Sequence, residues 1–186
     1  MKEFHTMTIA GLERNLPLCP ISDKLQIGAF VIFGDPELTT ACAAELNARC
    51  PEHDVLITAE SKGIPLICEM ARLQGNKRYV LARKGKKLYM KNVFSVEVRS
   101  ITTDHKQELF LDGSDAEYMR GKRVVIVDDV ISTGESLRAL EALVTKAGGA
   151  IVGRMAILAE GEAARRDDLT FLEELPLFDA EGNVLG

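Results

Sequence analysis

The strongest chemical signal in this sequence is a pair of adjacent carboxylates followed by a loop of small hydroxyl and glycine residues. Asp128 and Asp129 come directly after the apolar run at 124–127. The next residues supply donors and a flexible backbone, in the order Ser132, Thr133, Gly134 and, after one residue, Ser136. Unpaired N–H groups at a helix start attract anions, and glycine permits close approach. The segment predicts a phosphate monoester site, with carboxylates that accept hydrogen bonds from sugar hydroxyls.

The same residues permit a purely structural interpretation. Ser132 and Glu135 have the spacing of a capping box at a helix start, and an acidic pair can simply end a strand. Each of these features is common by itself. The full order, from buried strand through carboxylates and loop to helix, favours the binding site.

A second candidate anion site lies at residues 58–65. Ser61, Lys62 and Gly63 stand between a predicted strand and a predicted helix, where free N–H groups again favour a negative ligand. The ammonium group of Lys62 would add a point charge. Turns with serine and glycine occur in many proteins, so this segment is weaker evidence by itself.

A cationic run follows a third predicted strand. It consists of Arg83, Lys84, Gly85, Lys86 and Lys87. Such a run is usually a solvated loop. The alternative is a lid that closes on a polyanion and excludes water, so that a reactive intermediate is not hydrolysed. Lys84 is the first candidate for a catalytic contact, and Arg83 and Lys87 are second.

The hydrophobic pattern supplies a scaffold for these sites. Helical spacing of apolar residues occurs in three segments, 35–49, 63–75 and 135–147. Short apolar runs typical of buried strands occupy 55–57, 79–82, 123–127 and 151–158, and a candidate antiparallel pair occupies 94–98 and 108–111. Alternating strands and helices predict an α/β fold with a mostly parallel sheet flanked by helices. Ligands of such folds bind at the carboxyl ends of strands.

Composition indicates one globular domain over residues 1–186, with 46% hydrophobic residues and a formal net charge of −5. The acidic balance argues against a broad nucleic-acid-binding face. No segment approaches the about 20 apolar residues of a membrane span, and the amino terminus lacks the apolar run of a signal peptide. The four cysteines show no metal-binding spacing, which favours free thiols in a reducing cytoplasm.

Residues 124–136 resemble the phosphoribosyl pyrophosphate (PRPP) signature of type I phosphoribosyltransferases. The resemblance implies that Asp128 and Asp129 hold the ribose hydroxyls and that residues 131–136 grip the 5′-phosphate. The implied PRPP-binding set is Asp128, Asp129, Val130, Ile131, Ser132, Thr133, Gly134, Glu135 and Ser136. Glu135 stands where relatives often have a small residue, so its carboxylate is expected to turn away, toward the capping role.

The resemblance covers about residues 54–161 and is to the purine branch. The Glu-Ser-Lys-Gly turn at 60–63 is similar to the turn that receives pyrophosphate in adenine and xanthine phosphoribosyltransferases, and it lies at a similar distance before the signature. Purine enzymes have an Arg-Lys-rich flexible loop at the place of 83–87. The implied pyrophosphate-binding residues are Glu60, Ser61, Lys62, Gly63, Arg83 and Lys87. Lys84 is expected to be catalytic, within a flexible lid of about residues 83–103.

Glu97 resembles the catalytic glutamate of adenine phosphoribosyltransferases. The second tyrosine of that motif is Val98 here, which weakens the match. The alternative is an outward-facing strand residue. The lysine that xanthine-type enzymes carry after the last core strand is missing from residues 159–161, so neither relative assigns the base.

In this family an amino-terminal hood makes most of the base selection. The resemblance places the hood mainly at 11–33, with Arg14, Asn15 and Phe30 available to a base, and the core at about 35–161. Phe171 and Phe178, near the end of the chain, are expected in the core.

The resemblance implies a purine phosphoribosyltransferase of nucleotide salvage, with adenine slightly ahead of xanthine, guanine and hypoxanthine. Two alternatives stay open: an orotate-type pyrimidine enzyme, whose lid is also Arg-Lys-rich, and a non-catalytic regulator that senses PRPP. Mg²⁺ is expected, bound mainly through substrate oxygens and not by a protein metal site. The expected partners are PRPP, a nucleobase and a second copy of the chain in a homodimer, with no nucleic acid and no membrane.

Overall fold

The computed structural model describes residues 2–76, 78–99 and 106–185 of the chain. Its helices are α1 (Pro36–Arg49), α2 (Ile64–Leu73), α3 (Gly113–Met119) and α4 (Glu135–Lys146), with a 3-10 helix at Gly161–Arg165. Its strands are β1 (Phe4–Ile9), β2 (Leu12–Ser22), β3 (Leu25–Gly28), β4 (Val55–Ala59), β5 (Val80–Ala82), β6 (Phe94–Arg99), β7 (Lys106–Leu111), β8 (Arg123–Ile131), β9 (Ala150–Glu160), β10 (Thr170–Leu175) and β11 (Leu177–Phe178).

A five-stranded sheet in the order β10-β9-β8-β4-β5 forms the centre of the molecule. Every neighbouring pair in it is parallel, which confirms the predicted α/β fold. The chain runs outward from β4 to β5 and later returns on the other side of β4 with β8. The strand order therefore reverses between β4 and β8. Open α/β sheets bind ligands beside such a reversal, outside the carboxyl ends of the strands.

Strand β8 is buried on both faces of the sheet, and its alternating side chains enter two different cores. Val124 and Ile126 pack into the core that contains the apolar side of α4. Val125 and Val127 pack into the opposite core, with α1 and α2. Helices on both faces remove the sheet from solvent, so a continuous apolar strand is the expected sequence.

A second sheet, in the order β1-β2-β3-β11, forms the amino-terminal part of the fold. The residues predicted as the hood, 11–33, lie within this part of the chain. The sheet itself begins with β1 at Phe4 and takes its last strand from the other end of the chain. Phe178 of β11 is fully buried, as expected for a core aromatic. Gln26 of β3 is also buried and donates to the carbonyls of Asp179 and Ala180.

The predicted antiparallel pair is confirmed as the β6–β7 hairpin, in which Phe94 pairs with Leu111 and Arg99 with Lys106. Lys146 at the end of α4 donates to the Ser95 carbonyl at 2.7 Å, which attaches the hairpin to the helix. Residues 100–105, part of the expected lid, lie outside the described residues.

Candidate active site

The two predicted anion segments meet at the carboxyl ends of neighbouring strands β4 and β8. The hydroxyl of Ser61, just after β4, donates to Asp128 Oδ1 of β8 at 2.9 Å. The same hydroxyl oxygen accepts from the N–H of Gly63 at 3.1 Å. A Cβ on Gly63 would lie 3.0 Å from Asp128 Oδ1 and 3.2 Å from Asp128 Cα, so this turn and this strand approach too closely for a side chain. The structure thereby joins two segments that lie far apart in sequence.

Asp128 and Asp129 lie inside strand β8, not after it. The sequence predicts a strand that stops at Val127, but pairing continues to Ile131, which faces Ala159 of β9. The carboxyl end of β9 extends to Glu160 and gives β8 a partner over this whole length. Both aspartate side chains are consequently buried.

The two aspartates differ in their hydrogen-bond partners. Asp128 Oδ1 accepts from Ser61 and also from the N–H of Asp129 at 3.0 Å. Asp129 Oδ2 is buried and, among the described residues, has no hydrogen-bond partner, although Lys62 Nζ lies 3.4 Å away. A buried carboxylate oxygen in this state costs free energy unless a donor reaches it. A ligand hydroxyl would supply that donor.

Burial raises the pKa of Asp128 above its ordinary value, and the neighbouring charge of Asp129 raises it further. The Ser61 hydroxyl and the Asp129 N–H act in the opposite direction, because both hydrogen bonds favour the ionised carboxylate. The aspartate pair therefore resists carrying two full charges.

A small pocket lies over the loop between β8 and α4. It is lined by Asp128, Val130, Ile131, Ser132, Thr133, Gly134, Glu135, Ser136 and Leu137. All but Asp129 of the residues that the sequence assigns to PRPP binding thus surround one concavity. Its floor is the start of a helix, where backbone N–H groups and the helix dipole favour an anion.

The expected capping box is wrong. Helix α4 begins at Glu135, its N-cap is Gly134, and no side chain caps it. Gly134 has φ 73, a left-handed conformation that glycine adopts without strain. This turn places Ser132 two residues ahead of the N-cap and makes Glu135 the first residue of the helix, so the reciprocal bonds of a capping box cannot form.

The ammonium group of Lys62 faces the hood. Its Nζ donates to the carbonyl of Phe30 at 2.5 Å and lies near Asp129. Phe30, which the sequence offers as a stacking partner for a base, is buried, and its contribution here is its main-chain oxygen. Lys62 thus connects the hood with the aspartate pair.

The carboxylate of Glu60 contacts three residues of the cationic run that the sequence predicts as part of a lid. Its Oε1 lies 3.0 Å from Arg83 Nη2 and 3.8 Å from Lys87 Nζ, and its Oε2 accepts from the main-chain N–H of Lys84 at 3.0 Å. The Lys84 N–H and then the Arg83 guanidinium lower the pKa of Glu60, so it is ionised at neutral pH. The turn after β4 and the run after β5 therefore form one cluster in which cations outnumber the carboxylate.

Neither Lys84 nor Glu97, the two residues with expected catalytic roles, contributes a side-chain atom to the contacts described above. Lys84 is exposed, and its contact with Glu60 comes from the main chain. Glu97 is exposed on β6, where it pairs with Glu108 across the hairpin. The contacts that join Ser61, Lys62 and the aspartates do not include Glu97.

The hood carries features that the sequence pattern did not indicate. Arg14 is held by Asp35 and Glu37, and Asn15 accepts from the Thr6 hydroxyl. A hood pocket lies beside them, and Val31 and Phe33 in its lining are more than half exposed. An apolar side chain that remains exposed in a pocket is recognisable only once the fold is known.

Within the described ranges, no helix has both the length and the apolar character needed to cross a bilayer. The same residues contain no group of three or more His, Cys, Asp or Glu side chains arranged to hold a metal ion.

Comparisons with known proteins agree with this geometry. The model of the phosphoribosyl transferase domain matches residues 38–181. A hypoxanthine/guanine phosphoribosyltransferase of Methanotorris igneus is 35% identical over 163 residues, which cover 83% of this chain and 85% of that protein. A xanthine phosphoribosyltransferase of Bacillus thuringiensis is 32% identical over 136 residues, 70% of this chain and 67% of that protein.

Solved structures show the same fold. An adenine phosphoribosyltransferase from Thermoanaerobacter pseudethanolicus superposes with a TM-score of 0.70 at 20% identity, covering 86% of this chain and 95% of that one. A yeast adenine phosphoribosyltransferase gives a TM-score of 0.64 at 19% identity and covers 92% of both chains. Because the family model spans most of the chain and places the strand, aspartate pair and loop within it, this chain belongs to the phosphoribosyl transferase domain family.

Proposed function

We propose that the protein is a purine phosphoribosyltransferase that moves the 5-phosphoribosyl group of PRPP to a purine base. The bond between ribose C1 and the pyrophosphate oxygen breaks, and a bond from C1 to a ring nitrogen of the base forms. Pyrophosphate leaves, and the base loses its N–H proton. The observation that carries the proposal is the hydrogen bond between Ser61 and Asp128, which unites the two anion segments at one strand edge.

The aspartates and the loop would hold the ribose 5-phosphate half of PRPP. Asp128 and the unsatisfied Asp129 Oδ2 would accept hydrogen bonds from the 2- and 3-hydroxyls. The pocket over residues 130–137 would take the 5-phosphate at the uncapped start of α4. Fixing the ribose at both ends places C1 for attack and lowers the entropic part of the barrier.

The turn after β4 and the lid cations would hold the pyrophosphate half. Arg83 and Lys87 would supply positive charge. Ser61 and Gly63 would shape the turn that receives the pyrophosphate, because their hydrogen bonds hold it against Asp128. Lys84 and Glu97 keep their expected catalytic roles as part of this proposal. Because the leaving group carries most of the developing negative charge, preorganised cations stabilise the transition state more than the ground state.

Mg²⁺ fits this site as a partner of the substrate. The buried pair of aspartates, with one unsatisfied oxygen, provides hard oxygen ligands directly or through water. When bound, the ion would offset charge on the leaving pyrophosphate. Substrate oxygens would supply most of its ligands, because Mg²⁺ usually keeps several waters and binds through substrate phosphates.

The base is proposed from two separate observations. The curated relatives at 30% identity and above act on hypoxanthine, guanine or xanthine by name, which favours a 6-oxopurine. Adenine is the second candidate, because Glu97 resembles the catalytic glutamate of adenine enzymes. The base would bind under the hood, next to the Lys62 bridge between Phe30 and Asp129.

The test is product analysis with PRPP, Mg²⁺ and six separate bases: hypoxanthine, guanine, xanthine, adenine, orotate and uracil. We expect one or more purines to yield the nucleoside monophosphate and pyrophosphate in equal amounts. Turnover of orotate without any purine would replace the proposal with a pyrimidine enzyme. PRPP binding without turnover of any base would replace it with a regulator. The Glu97→Gln variant, compared on hypoxanthine and adenine, would show whether this side chain acts on the base.

A further inference from the structure

Two arginines converge behind the glycine that starts helix α4. A Cβ built on Gly134 would lie 3.6 Å from Nη1 of Arg138 and 3.6 Å from Nη1 of Arg166. Arg138 comes from the first turn of the helix, whereas Arg166 follows the 3-10 helix at Gly161–Arg165. Neither arginine lines the pocket over the loop. Both guanidinium groups therefore approach the loop at Gly134 without lining its pocket.

Each guanidinium has a second contact that fixes its position. Arg138 Nη1 donates to the carbonyl of Thr133 at 3.3 Å. Arg166 uses Nε and Nη2 for a two-bond fork to Asp168, both at 2.8 Å, which leaves Nη1 toward Gly134. A forked pair restrains the plane of a guanidinium more than a single bond does.

The bond from Arg138 controls the orientation of one peptide group. The carbonyl of Thr133 and the N–H of Gly134 belong to the same planar peptide, which is trans because the described residues have no cis bond. In a trans peptide these two groups point in opposite directions. When the guanidinium holds the carbonyl, the N–H of Gly134 points away from that guanidinium, and both Thr133 and Gly134 line the pocket.

The charge around the pocket also requires such support. Residues 128–137 contain Asp128, Asp129 and Glu135 but no lysine or arginine. A phosphate monoester that enters brings further negative charge. Positive charge must then come from outside this segment, and the two arginines at Gly134 are placed to provide it.

We propose that Arg138 is a positioning residue for the 5-phosphate of the substrate: it orients the Thr133–Gly134 peptide so that its N–H faces the phosphate, and Arg166 adds a second positive charge behind the same glycine. The inference rests on the proposed function, because it assumes that a phosphate occupies the loop pocket. It predicts that Arg138 affects ligands that carry the 5-phosphate and spares pyrophosphate.

The experiment compares calorimetric binding of ribose 5-phosphate and of inorganic pyrophosphate with Mg²⁺. In Arg138→Met, which keeps an aliphatic stem, we expect ribose 5-phosphate to bind about tenfold more weakly and pyrophosphate within about twofold of the wild type. Arg138→Lys keeps a charged donor and should recover part of the loss. In steady-state turnover, KM for PRPP should rise about tenfold in Arg138→Met while kcat stays within about threefold. Arg165→Met is the matched control, because Arg165 is exposed and pairs with Glu162.

The outcomes separate this inference from the proposed function. If the wild type binds ribose 5-phosphate and Arg138→Met binds it equally well, the positioning role is refuted and the proposed function stands. Equal losses for both ligands would also refute it, because they indicate general damage to the site. If Arg138→Met does not fold, Arg138→Gln gives the same comparison. A wild type that binds neither ligand contradicts the proposed function, and this inference with it.

Discussion

The hydroxyl of Ser61 lies 2.9 Å from Oδ1 of Asp128 and donates a hydrogen bond to it. This contact couples the turn that would receive pyrophosphate to the carboxylate that would hold the ribose. Both residues stand at the carboxyl ends of adjacent parallel strands, beside the reversal of strand order. A PRPP molecule has its ribose and pyrophosphate directly joined, so the two binding segments must be neighbours.

Removal of the Ser61 hydroxyl should change the pH dependence of PRPP binding. Ser61→Ala deletes a hydrogen bond that lowers the pKa of Asp128, so that pKa should rise further. Since ribose hydroxyls bind best to an ionised carboxylate, we expect KM for PRPP to rise about three- to tenfold at pH 7 and to recover at higher pH. The check is KM for PRPP across pH 6–9. A uniform change at every pH would show that the hydroxyl does not act through Asp128. Ser22→Ala, at the exposed end of β2, is the control.

The buried Asp128 should cost stability at alkaline pH. Its pKa is raised in the folded protein, so the folded state holds the proton more tightly than the unfolded chain. The free energy of unfolding then falls as pH rises from about 4, the ordinary aspartate value, through the raised pKa. Asp128→Asn removes this loss and should be more stable than the wild type at pH 8, with Tm higher by about 2–4 °C per kcal/mol gained. Thermal unfolding at pH 5 and pH 8 measures the difference.

The control for that experiment is an aspartate whose pKa is shifted in the opposite direction, so its substitution should change stability in the opposite direction. Asp54 is paired with Arg123, which lowers its pKa to about 2. Its contribution to stability is present above about pH 4 and is lost as pH falls. Asp54→Asn should therefore be less stable than the wild type at pH 8. If Asp128→Asn also loses stability at pH 8, ionisation of the buried Asp128 does not destabilise the folded protein in the way that its raised pKa implies.

Gly63 should not accept a side chain. In Gly63→Ala the new Cβ would lie 3.0 Å from Asp128 Oδ1, 3.1 Å from Thr58 Oγ1 and 3.2 Å from Asp128 Cα. Relief of this overlap must separate the turn from β8, which should cost about 1–3 kcal/mol of unfolding free energy and weaken PRPP binding. Denaturant unfolding and PRPP calorimetry test both effects. Gly85→Ala is the control, because a Cβ there meets nothing within 4 Å, and equal behaviour of the two variants would contradict the close approach.

Glu60 should compete with pyrophosphate for the lid cations. Its carboxylate pairs with Arg83 and Lys87, and pyrophosphate would need the same charges. Glu60→Gln should therefore bind inorganic pyrophosphate about three- to tenfold more tightly at low salt, with a smaller gain as ionic strength rises. Calorimetry at two salt concentrations measures this. Weaker binding would instead assign Glu60 to ordering the cations; Glu45→Gln, in an exposed pair with Arg49, is the control.

Four of the five strands of the central sheet, β4, β5, β8 and β9, were predictable because their signals are local. The continuous apolar run of β8 and the helical spacing of Leu137, Leu140 and Leu143 in α4 are visible within a few residues. Strand β10 and helix α3 lack such strong patterns and were not predicted. The hood sheet could not be completed from sequence, because Phe178 pairs with Gln26 from the opposite end of the chain.

The sequence was enough to select the candidate residues of the site, but it predicted only some of the contacts between them. The aspartate pair, the loop and the cationic run were all recognised from the order of residues. The partners of Lys62 and Glu60 were not, because a flexible side chain selects its partner from whatever the fold brings near. The capping box was wrong for a local reason. The left-handed Gly134 is the N-cap, so the helix starts two residues later than a Ser132 N-cap would require.

The central claim is tested most directly by pyrophosphate release with PRPP, Mg²⁺ and a purine, in the wild type and in the double variant Asp128→Asn/Asp129→Asn. We expect base-dependent release by the wild type and a loss of at least about a hundredfold in the double variant, which should stay folded by circular dichroism. A folded double variant that releases pyrophosphate at the wild-type rate would contradict the assignment of these aspartates. A wild type that releases none with any purine would contradict the proposed transfer reaction.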